Sequence, residues 1–342
     1  MKSSRPRLYL FFWVALFFQY AHISKADEIE PPKQHAWLID FDDDTEFILG
    51  PGTDQAYTGG YRIAFLSDEQ KRPWWLKHSF IDQNEENFKA TSGLILGQQL
   101  YTPDNIHTNL PQPNDRPYAA WLYGGLTSTY MTHAKSHLLE FDFGFVGSRA
   151  EGGFVQNEVH QLIGNPPAQG WAHQVRNEPI LQLYYQMRQK RRDFFPLSPD
   201  HDVDVIPYYG MAFGNVAVKA HAGIFIRYSP GELPKDFGPT RVTSEDGDTF
   251  MPSDDGGHKE TKIFWFAGAR LTAVALNIFL DGNTFRSSPR VTKFPIVAMS
   301  DVGVGKNWRT WSLVWRYVTY SPEFAENAAF NSFAALTLTH FY

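Results

Sequence analysis

The sequence predicts an all-β protein, a transmembrane antiparallel β-barrel of the bacterial outer membrane. Three observations predict it. Apolar and polar residues alternate with a period of two, aromatic residues crowd the ends of the alternating stretches, and the chain ends in such a stretch, SFAALTLTHFY, closing on Tyr342. Alternation marks strands with one apolar and one polar face, and outer-membrane barrels carry aromatic girdles at both interfaces. A water-soluble sandwich with its apolar face inside shows the same alternation. That alternative stays open on pattern alone.

Taken in order, the N-terminus comes first. Lys2, Arg5 and Arg7 precede the apolar run LYLFFWVALFF (8–18), and Ser24-Lys25-Ala26 form a small-x-small triplet before Asp27. This is the layout of a secretory signal. The run is short of the roughly 20 residues that a membrane helix needs. Cleavage near Ala26 divides the chain into a signal, 1–26, and a single barrel domain, 27–342. Export to the outer membrane follows. The stretches 137–146, 180–188 and 311–317 then read as strands. Leu139, Phe141, Phe143 and Phe145 oppose Glu140, Asp142 and Gly144. Leu181, Leu183, Tyr185 and Met187 oppose Gln182, Tyr184, Gln186 and Arg188, while Trp311, Leu313, Trp315 and Tyr317 oppose Ser312, Val314 and Arg316. The final stretch resembles a terminal-aromatic assembly signal, with His340 standing where an apolar residue is more usual. The longer connections are 67–92, 102–115, 147–177, 189–204 and 228–260. Long connections of outer-membrane barrels face outward.

Composition removes several function classes. The net charge is -6, so no broad basic surface invites nucleic acid. Cysteine is absent, which excludes a disulfide framework, thiolate-bound zinc and a thiol nucleophile. There is no nucleophile elbow, zinc-protease helix or Walker A loop.

Three stretches carry candidate chemistry. In DFDDDTEF (40–47), Asp40, Asp42, Asp44 and Glu46 share one strand face. Carboxylates facing lipid cost several kcal/mol, so this face turns to the lumen or leaves the membrane, and Asp43 points outward unless the strand ends or bulges there. Five acids in seven residues suit a hard cation, although a solvated strand end explains them as well. The spacing fails as an EF-hand, because Thr45 and Pro51 stand at its sixth and twelfth positions. In AYTGGYRIAF (56–65), Thr58 offers a hydroxyl beside two glycines. In VQNEVHQLIGNPPAQGWAHQVRNEP (155–179), Gln156 and His160 are four apart and share a face of any helix. A histidine is the commonest general base; a merely solvated loop histidine is the plainer reading, and His173 competes.

FDDDTEF, YTGGYRI, LGQQLYTP, NDRPYAAWLYGG, VQNEVHQLIG, GWAHQVRNEP, AFGN, LPKDFGP and NIFLDGNTFR together, in this order, resemble the outer-membrane lipid A deacylases of the 3'-O-deacylase, LpxR-like type. The resemblance runs from about Trp37 to the C-terminus. It implies a barrel of about 12 strands with short helices in its extracellular loops. It also implies calcium-dependent hydrolysis of an ester-linked 3'-acyloxyacyl chain of lipid A, within lipopolysaccharide, at the outer end of the barrel. The implied catalytic set is His160, Thr58, Asp43, Asp44 and Gln156, with Asp43 and Asp44 as metal ligands for Ca2+. Asp43 replaces the family's asparagine, and Pro166 replaces an acidic residue six beyond the histidine; Glu158 and Glu178 are the candidates to substitute for it. Either His160 activates water, with calcium stabilising the oxyanion, or Thr58 is the nucleophile. Alternatives are a catalytically inactive structural barrel and an outer-membrane phospholipase. The expected surroundings are outer-membrane lipids and the expected state is a monomer.

Overall fold

The computed structural model describes residues 35–44, 56–69, 89–132, 134–191, 202–234, 236–238 and 261–342. The signal segment, Glu46 and Pro51 lie outside the described residues. Twelve strands run in chain order: β1 (His35–Asp43), β2 (Ala56–Glu69), β3 (Lys89–Thr102), β4 (Ala119–Met131), β5 (Lys135–Val146), β6 (Glu178–Gln189), β7 (Asp202–Gly214), β8 (Ala217–Ser229), β9 (Phe264–Asn277), β10 (Ile296–Asn307), β11 (Trp311–Tyr320) and β12 (Asn331–Phe341). Each pairs antiparallel with its chain neighbours, and β1 pairs with β12 to close the barrel. Closure leaves no edge with unpaired backbone, the condition for crossing lipid with strands.

The alternation decides between the open alternatives. Phe141, Phe143 and Phe145 of β5 are exposed, while Glu140 and Asp142 between them are fully buried. On β6, Leu181 and Leu183 are exposed and Gln182 and Gln186 buried; Ile224, Ile226, Leu271 and Val302 extend the apolar exterior. A soluble sandwich turns such faces inward. Here they form a continuous outer surface suited to hydrocarbon, and the charge is inside.

The lumen holds paired charge. Arg62 meets Glu140 at 2.6 Å, and Arg227 meets Asp204 at 2.6 Å and also Asp236 from the β8–β9 connection. Gly125 gives room for this packing, since a Cβ there would sit 2.1 Å from Asp142 Oδ1. Asp40 lies opposite Arg62 in the β1–β2 register, and Asp42 accepts from the Tyr57 hydroxyl at 3.1 Å.

His35, the first described residue, and Tyr342 exchange backbone hydrogen bonds at one rim of the barrel, the terminal rim. The tight connections 132–134 and 308–310 are at this terminal rim. The ends of β2, β6 and β8 and the starts of β3, β7 and β9 lie at this rim as well. Most of the residues that join them, and with them the expectation that these connections face outward, lie outside the described residues. His340 lies opposite both Trp37 and Trp311 and packs on the Trp311 ring at 4.2 Å, so it joins the aromatic girdle.

At the far rim, β9 runs into a single helical turn, α2 (Ile278–Asp281), capped by the Asn277 side chain. Phe279 is fully buried and stacks on Tyr101 at 4.2 Å, with Trp121 beside it. The start of the NIFLDGNTFR stretch, through Leu280, is thereby buried at this rim, while Phe285 is exposed. Asn283 of the same stretch then binds the Arg176 backbone, accepting at 2.7 Å and donating at 2.7 Å.

Candidate active site

The connection after β5 carries one longer helix, α1 (Gly152–Ile163). It lies against the outside of the wall. Leu94 and Leu96 of β3 and Leu126 of β4 are exposed, which fixes Leu100 and Ala120 to the same outward faces. Leu100 and Ala120 are nevertheless buried, clustered with Ile106, Tyr118, Ala150, Ala168 and Trp171. Two small residues allow the approach. A Cβ on Gly152 would lie 2.4 Å from the Ala120 side chain and 2.7 Å from the Trp171 ring.

Gln156 and His160 follow at one-turn intervals on the covered face, each 3% exposed. The Trp171 indole donates to Gln156 Oε1 at 2.7 Å. An indole N–H only donates, so the Gln156 oxygen is fixed and its amide N–H2 is the other, donating end. His160 Nδ1 lies 2.7 Å from the carbonyl oxygen of Pro166. The chain reaches Pro166 by reversing at Gly164, whose φ of +81° suits glycine.

The remaining predicted residues lie at the same rim of the barrel. The β2–β3 pairing slips between Tyr57 and Gly59, leaving Thr58 as the extra residue of a bulge. Its hydroxyl is 2.6 Å from that of Thr102. Asp43 lies opposite Gly59, Gly59 opposite Leu100, and Leu100 opposite Ala120. One rung of the sheet thus leads from Asp43, past the Thr58 bulge, to the wall position under Gly152. Asp43, the last residue of β1, is half-buried, and Asp44 beyond it is 2% exposed. Asp40 and Asp42 belong to the lumen instead.

Neither glutamate considered as a replacement at Pro166 joins these residues. Glu158 is exposed on the far side of α1. Glu178 faces the interior and accepts from Asn215 at 3.0 Å and Asn283 at 3.1 Å. His173 is at the surface, with Nε2 2.8 Å from the Asn109 carbonyl. Among the described residues, no three acidic or histidine side chains converge as a metal cluster. Asp43 and Asp44 offer hard carboxylate oxygens, the donor type calcium takes; a full shell needs more oxygens, which backbone carbonyls and water also supply.

Sequence reasoning missed Trp171, Thr102, Asn157 and the Pro166 carbonyl. Only Trp171 had a local signal, as a large aromatic after Gly170 in a polar loop. The others act through partners that spacing does not reveal.

With this geometry in place, the comparisons are informative. A family model described as outer membrane protein LpxR matches residues 10–342. LpxR from Salmonella typhimurium superposes with a TM-score of 0.72 at 18% identity, covering 90% of this chain and all, 100%, of that one. The translocator domain of the autotransporter NalP from Neisseria meningitidis gives a TM-score of 0.39 at 10% identity, over 90% of this chain and 87% of that one. No curated protein matches in sequence. The match over nearly the whole length decides the matter: the chain belongs to the LpxR family of outer-membrane proteins.

Proposed function

We propose that the protein is a lipid A deacylase that hydrolyses the ester-linked 3'-acyloxyacyl chain from the outer leaflet. The observation that carries this reading is the burial of Gln156 and His160 on α1, a helix that packs on the lipid-facing side of β3 and β4. A base there meets an ester that never leaves the bilayer. The site lies at the rim opposite the one where His35 and Tyr342 meet.

His160 takes a proton from water at Nε2. The water oxygen attacks the ester carbonyl, and the carbonyl π electrons move onto oxygen as an oxyanion. Collapse expels the sugar oxygen, which receives the proton from His160, leaving a sugar hydroxyl and a free acyloxyacyl acid. The Gln156 amide donates to the developing oxyanion. Thr58 donates to the water or the carbonyl. Calcium, held by Asp43 and Asp44, would supply further Lewis-acid stabilisation of the oxyanion.

Mass spectrometry of lipid A after incubation with the folded protein tests the reading. With calcium, one acyloxyacyl mass is lost; with a chelator, it is retained. Unchanged lipid A in both samples identifies an inactive barrel, and release of phospholipid acyl chains instead identifies a phospholipase.

A further inference from the structure

We propose that Asn157 is a positioning residue: it ties α1 to the returning chain so that the Pro166 carbonyl fixes the tautomer of His160. The inference rests on the reading of His160 as the base. A carbonyl oxygen only accepts, so the 2.7 Å contact places the hydrogen of the neutral ring on Nδ1. The lone pair is then on Nε2, the atom that must take the proton from water. A backbone oxygen serves this purpose only if the backbone is held, and residues 165–169 belong to no helix or strand.

The hold comes from α1 itself. Asn157 Oδ1 accepts from the Ala168 amide at 2.8 Å, and its Nδ2 lies 3.4 Å from the Ala168 carbonyl. Asn165 N donates to the His160 carbonyl at 2.8 Å, on the other side of Pro166. The two ties bracket the carbonyl that meets His160. Pro166 and Pro167 have fixed φ angles, so little slack remains between them. Ala168 is buried against Trp171, the residue that also holds Gln156. Asparagine is a weak former of helix interior. At position 157 its amide instead secures the return segment.

The test uses the full chain labelled with 15N-histidine in micelles, with His160→Ala identifying the His160 signals. The wild type should show Nδ1–H at neutral pH. Asn157→Ala should give a mixture of tautomers and lower kcat roughly 10- to 100-fold with KM unchanged, the size expected of a displaced catalytic group. Asn157→Asp keeps the acceptor for the Ala168 amide and should restore most of kcat. An Nε2–H signal in the wild type, or an unchanged tautomer and kcat in Asn157→Ala, overturns the proposal. If Asn157→Ala does not fold, the wild-type tautomer decides. An Nδ1–H signal from a wild type that leaves lipid A intact upholds the tautomer and defeats the lipid A reading alone.

Discussion

Two buried polar regions lie on opposite sides of one wall. In the lumen, Arg62 is completed by Glu140 at 2.6 Å, charge against charge. Under α1, His160 is held by a backbone carbonyl and Gln156 by an indole, each at 2.7 Å. A charged partner neutralises a group and fixes it in one state. A neutral partner sets direction without neutralising a charge. The lumen pair therefore suits stability, and the groups under α1 suit the chemistry proposed for them.

The comparison can be broken from either side. His160→Ala should lower turnover about 10²- to 10⁴-fold, the usual contribution of general-base catalysis. The barrel should keep its heat-modifiable migration on gels; full turnover by the variant removes His160 from the role. Arg62→Ala should do the converse. It strands Glu140 in the lumen at a cost of about 3–5 kcal/mol, read by urea unfolding in vesicles. Activity per folded molecule should not change, and a selective loss of activity would mean that the lumen takes part in the reaction.

Smaller effects sharpen the contrast. Gly152→Leu should push α1 off Ala120 and reduce turnover roughly 10- to 100-fold with the melting temperature little altered. An unaffected rate would show that the helix need not touch the wall. The smallest effect concerns Glu326, on the exposed β11–β12 connection. The Thr292 hydroxyl at 2.7 Å and amide at 2.9 Å favour its charged form, so its pKa is lowered. A depressed folded-state pKa stabilises above the unfolded value, and that contribution fades as the pH falls through the folded value. Thermal melts should show wild type and Glu326→Gln converging in acid. A constant difference at all pH values would remove this tie from the balance.

Much of the barrel was legible because a strand repeats every two residues. Phe141, Phe143 and Phe145 announced an outer face, and Glu140 and Asp142 an inner one. The Gln156–His160 spacing was equally plain, since one helical turn brings both to one face. What stayed hidden depends on contacts across the fold. Thr58 meets Thr102 only because a bulge reorients it. Glu178 looked available by composition, yet it begins β6 with its side chain inward. The partner of His160 is a main-chain oxygen, and main-chain atoms leave no mark in residue identity.

On the proposed reading, the ligand of the outer-wall site arrives by lateral diffusion within a sheet of lipid, not from bulk solution. Rates should therefore follow the mole fraction of substrate among the surrounding lipids, and adding inert amphiphile should slow the protein even when the total amount per litre is held constant.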